Sequence, residues 1–136
     1  MRAFLSLVDS IMALALAILL LFAFYTQVPR EAQLGLEAKV AYYKKVADQI
    51  LLTSAMNGYI TSLIDSFELG EPMGSVLERI VALCPGRLSC LVEVRDSGGS
   101  VLCSRGKDPI PPSGESNYFA TTCSGLLRIA CRVGSR

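Results

Sequence analysis

Five cysteines carry most of the chemistry this sequence has to offer: Cys84, Cys90, Cys103, Cys123 and Cys131. The 136 residues contain no histidine. That removes the commonest general base, the commonest metal ligand and every Ser–His or Cys–His pairing. The cysteines form no Cys-x-x-Cys and their spacings fit no zinc finger, so neither a metal nor another cofactor is expected. Two uses remain, disulfides or small apolar core residues. The first pairing expected is Cys84 with Cys90, across Pro85-Gly86-Arg87. The second joins Cys123 to Cys103 or Cys131. The cysteine left over is either a thiol buried on the sheet or a link to another molecule. Disulfides place this part of the chain on an oxidising side of a membrane. No Gly-rich phosphate loop, catalytic acid pair or nucleophile with a base is present, and Gly98-Gly99 reads as a hairpin turn. An enzyme is not expected. A net charge of +1 without a basic block gives no footprint for nucleic acid.

The other chemically informative residue is Asp9. Directly after it, Ser10 to Val28 is a run of 19 residues without a charge. About 20 apolar helical residues cross a bilayer core. A carboxylate beside such a run is costly unless it is paired or lies at the headgroup level. The run ends in Phe22-Ala23-Phe24-Tyr25, too bulky for a signal-peptide cleavage site, so a retained anchor is expected.

These residues need elements to position them. Pro29 follows the apolar run and would kink a continuing helix. Beyond it, apolar residues recur at Leu36, Val40, Tyr43, Ala47 and Ile50, then at Leu52, Met56, Tyr59, Leu63 and Phe67. The gaps of three and four predict a helix ending before Gly70 and Pro72. Joined through Pro29, residues 4–67 make one helix. Its apolar stripe, with Tyr42-Tyr43, packs on the head or on other subunits. Ser75 and Glu78 read as a capping box for a short helix stopped by Pro85-Gly86. Leu88 to Arg95 alternates, with Cys90, Val92 and Val94 on one face. Asp96-Ser97-Gly98-Gly99 turns the chain, and pairing Val94 with Val101 sets Val92 opposite Cys103. Lys107 to Asn117, with Pro109, Pro111 and Pro112, reads as a loop. Leu127 to Val133 is the last strand. The fold expected is α+β: a long N-terminal hydrophobic helix carrying a small, three-stranded antiparallel head, shaped like a lollipop. Its parts are a leader and apolar helix (1–28), an amphipathic continuation (29–67) and a disulfide-containing head (68–136).

The stretch Ser6-Leu7-Val8-Asp9-Ser10-Ile11-Met12-Ala13-Leu14 resembles the start of type IV pilins and pseudopilins, archaeal ones among them. The resemblance covers residues 1–28 and extends along the helix. It implies a leader, Arg2-Ala3, removed by a prepilin peptidase before Phe4 or Leu5. It also implies that Asp9 neutralises the new amino terminus of a neighbouring subunit. Pilin helices often carry a Pro near the depth of Pro29. The implied partners are the membrane before assembly, the assembly machinery and then copies of the chain itself. The function implied is a structural subunit of an extracellular pilus-like filament. The alternatives are an uncleaved single-pass protein with a ligand-binding head outside the cell, or a minor pseudopilin of a secretion or DNA-uptake machine.

Overall fold

A computed structural model describes the backbone of residues 2–136 and the side chains of residues 12, 14–23 and 35–136. The chain divides into two compact units, Met1–Glu37 and Ala38–Arg136. Helix α1 (Arg2–Met56) contributes to both. In the second unit it is followed by α2 (Tyr59–Leu69), α3 (Gly74–Ala82), β1 (Leu88–Arg95), β2 (Val101–Gly106), β3 (Ile110–Thr122) and β4 (Gly125–Ser135). The strands form one antiparallel sheet in the order β2-β1-β4-β3.

This corrects the expected fold. The helix does not run unbroken to Phe67, and the sheet has four strands rather than three. Among the described residues no helix is long and apolar enough to cross a membrane. The helix breaks at Gly58, whose φ of 75° is left-handed. A glycine takes that conformation without a Cβ clash, and the chain restarts as α2 in a new phase. The buried stripe therefore keeps its phase to the end of α1 and changes only at the break. Val46, Ala47, Ile50, Leu51 and Ser54 face the core, while Leu52 and Met56 from the expected stripe stay exposed. The buried Ser54 hydroxyl donates to the Ile50 carbonyl at 2.7 Å, so no polar group is stranded there. Gly70, also left-handed, ends α2, with the Glu71 N–H donating to the Ser66 carbonyl at 2.8 Å.

The capping box does not form. Helix α3 starts at Gly74, which places Ser75 inside the first turn, and no side chain caps it. Glu78 pairs instead with Arg105 on β2, at 3.5 Å. The β1–β2 register also differs from expectation. Val94 lies opposite Cys103, and Arg95 opposite Val101, because Leu102 is the extra residue of a bulge.

The largest difference is β3, which occupies most of the expected loop. Pro111 and Pro112 fall where the β3–β4 register skips, between Ile110 opposite Ser135 and Ser113 opposite Gly134. An edge strand tolerates proline at such a point because no ladder donor is lost. Farther along, Gly114 packs directly on α1, and a Cβ there would run into the backbone at Tyr43 and Lys44.

The core lies between the sheet's inner face and the three helices. Val92, Val94, Leu127, Ile129, Cys131 and Val133 point into it, and Ala47, Ile50, Ile60, Leu63, Leu77 and Ile80 cover them. The alternation read from β1 and β4 is the alternation buried here. Because Gly114 touches backbone rather than a flexible side chain, Gly114→Ala is expected to lower head stability by about 1–3 kcal/mol. Gly86→Ala, where a Cβ meets open space, should change it little. Chemical denaturation of both variants checks the contrast.

Candidate functional site

The site candidates fall into three groups: the cysteines, the outer face of the sheet, and the apolar part of α1. Cys84 and Cys90 are joined by a disulfide, with Cα atoms 6.2 Å apart. The short excursion through Pro85 and Gly86 carries α3 back onto β1 and brings them together. The second expected disulfide is not present: Cys103, Cys123 and Cys131 are free thiols. Strand geometry explains why. Cys123 sits at the turn end of β4, whereas Cys131 lies six residues beyond Gly125, about 20 Å along the strand, and Cys103 on β2 is separated from β4 by β1; neither is within disulfide reach of Cys123. Cys123 lies in the β3–β4 turn, where its N–H donates to Glu68 Oε1 at 3.1 Å.

Cys131 is fully buried between Val92 on β1 and Ser116 on β3. Burial, and then the charge of Asp48, push its thiol up to about 12 from 9.0. It is an inert core residue, not a nucleophile. Asp48 itself accepts a hydrogen bond from the Ser116 hydroxyl, tying α1 to β3. That contact and the Gly114 approach are absent from any sequence motif.

The outer face of the sheet is a field of matched charges. Arg95 pairs with Glu93 at 2.5 Å and Arg128 with Glu115 at 2.7 Å. Arg132 reaches Asp108 at 3.1 Å and Glu115 at 3.5 Å. Burial works against the Arg132 charge, but the Asp108 hydrogen bond and the charges of Glu115, Asp108 and Glu93 outweigh it and raise its affinity for the proton. Half-exposed pairs of this kind contribute little to stability. They leave no guanidinium of this face without a carboxylate. Among the described residues, no cluster of acids and cysteines could hold a metal ion.

The apolar part of α1 has the opposite character. Leu14, Leu16, Ile18, Leu19, Leu20 and Leu21 are each 55–70% exposed. At 3.6 residues per turn these positions fall on every side of the helix. The expected processing and assembly residues Ala3, Phe4, Leu5 and Asp9, and the expected kink residue Pro29, have side chains outside the described residues. Comparisons with protein-family models, curated proteins and solved structures find no match to this chain.

The thiols should react in the order of their exposure. Maleimide is expected to modify Cys123 first, Cys103 more slowly, and Cys131 only on unfolding. Because folding raises the Cys131 pKa, its contribution to stability is fully present below about pH 9 and declines as pH rises towards 12. Denaturation across that range should show the decline, and Cys131→Ala should reduce it.

Proposed function

We propose that this chain is a structural subunit of an extracellular, type IV pilus-like filament, whose copies associate through the apolar N-terminal segment. The observation that carries the reading is the exposure of Leu14 to Leu21 on all sides of α1. A helix that is apolar all round needs apolar surroundings. The head has a closed core of its own, and on this reading copies of the same segment supply the covering surface. The resemblance of residues 1–28 to pilin N-termini supports the same reading, as does the stretch of 19 uncharged residues that follows Asp9.

On this reading a prepilin-type peptidase removes the leader before Phe4 or Leu5. The membrane holds the subunit until assembly machinery extracts it. Asp9 then pairs with the new amino terminus of a neighbour inside the bundle. A charge there is costly alone and strongly favourable when matched. The heads, each closed by Cys84–Cys90, form the outer wall.

Two substitutions test this. Leu16→Lys and Leu20→Lys each place an unpaired charge in the bundle, at several kcal/mol. Each should raise the concentration needed for assembly by about a hundredfold or more. Sedimentation and electron microscopy after detergent removal read the effect, and normal filaments in both variants would contradict the proposal. Asp9→Asn should abolish assembly while the protein still fractionates with membranes.

A further inference from the structure

We propose that the heads of neighbouring copies also join edge to edge, β2 of one chain pairing with the middle of β3 of the next to make one continuous sheet. The inference rests on the reading above only in taking a second copy as the partner. The sheet order leaves β2 and β3 as the two edges. An edge strand presents a row of unpaired N–H and C=O groups, which proteins ordinarily protect with proline, charge or a cover. Protection here is sparse. The prolines of β3 stop at Pro112, and from Ser116 to Thr122 the strand carries no charge. On β2 the one charge, Arg105, is paired with Glu78. Exposed apolar side chains mark both edges: Val101 and Leu102 on β2, and Tyr118 and Phe119 on β3.

Strand direction selects a second copy as the occupant. In an antiparallel sheet of four strands, the first and last strands in spatial order run in opposite directions. Two molecules in the same orientation, side by side, therefore bring β2 of one against β3 of the other antiparallel. The operation is head-to-tail and does not close, so it propagates as a fibre. Each copy would advance the sheet by about 19 Å, four strand spacings. Sheet twist would turn the row into a helix.

The faces also match. Ser104 lies opposite Glu93 on the outer face, whereas Cys103, opposite Val94, lies on the inner one. On β3, Asn117 bonds Arg128 on the outer face. Tyr118 lies opposite the buried Ile129 and lines an inner groove with Leu51 and Ala55 of α1. Pairing Ser104 with Asn117 sets hydroxyl against amide, Arg105 against Ser116, and Cys103 against Tyr118. Because Leu102 is the extra residue of the bulge, Val101 then falls opposite Phe119, which shares the outer face with its partner Arg128. Two exposed apolar side chains of the outer face thus cover one another.

Cys103 makes the register testable without a second introduced thiol. Tyr118→Cys in the full chain, with Cys123→Ser removing the exposed thiol, places a cysteine opposite Cys103 of the neighbour. Within one molecule the two positions are three strand spacings apart, about 14 Å, so any disulfide between them joins copies. Mild oxidation after detergent removal should give a ladder of dimers, trimers and higher multimers on a non-reducing gel. Adding Cys103→Ser should collapse that ladder to no more than dimers. Large particles that yield nothing beyond a dimer would overturn the edge pairing and leave the filament reading standing. Monomers without a ladder would overturn both. If Tyr118→Cys disturbs folding, Ser104→Cys with Asn117→Cys, checked for native circular dichroism, must give the same ladder or the inference fails.

Discussion

Six leucine and isoleucine side chains between Leu14 and Leu21 stand exposed on every side of one helix, and this uncovered apolar surface is the constraint to which the rest of the molecule answers. Burying one such side chain fully is worth about 1.5–3 kcal/mol. Six together reach about 9–18 kcal/mol, the size of a whole domain's stability. The head has a core of its own. Ala47, Ile50, Leu63, Leu77 and Ile80 already seal the inner face of β1 and β4. On the proposed reading, association with further copies covers the apolar segment.

Apolar burial is non-directional. On the proposed reading it would hold copies together without fixing how one stands beside the next. Hydrogen-bonding edges do the opposite, because a strand shifted by one residue turns every side chain to the other face. The proposed pairing of β2 with β3 would therefore supply the register that the apolar segments lack. On the proposed reading the outer face would form an exterior wall. Its guanidinium groups are matched by Glu93, Glu115 and Asp108, and charge matching discourages unspecific association there.

Strands β1 and β4 were legible in the sequence because each alternates apolar and polar residues, and alternation is what one-sided burial requires. Cys84–Cys90 was legible from its short spacing and intervening Pro-Gly. Strand β3 was not. Pro111 and Pro112 carry loop chemistry, and only the skipped register at a sheet edge lets a strand accommodate them. Gly114 reads as another loop residue, yet it is there because α1 passes too close for a side chain. Gly58 reads as a weak point within one helix, but its left-handed backbone ends α1 and is where the stripe changes phase, so within α1 the stripe stays on Ile50, Leu51 and Ser54 and leaves Leu52 exposed. The absence of a second disulfide was unreadable because the strand order and register that hold Cys123 away from both Cys103 and Cys131 are non-local properties. Asp9 rests on sequence alone: its side chain lies outside the described residues.

What surrounds the apolar segment can be read directly with a nitroxide at position 18. The label is introduced by Ile18→Cys in a chain carrying Cys103→Ser and Cys123→Ser, and native assemblies are examined by electron paramagnetic resonance. Packing among copies predicts strong dipolar coupling between labels on helices roughly 8–10 Å apart, with little access for oxygen or for water-soluble relaxants. An isolated label relaxed freely by oxygen, as in lipid, would contradict self-association as the role of this segment.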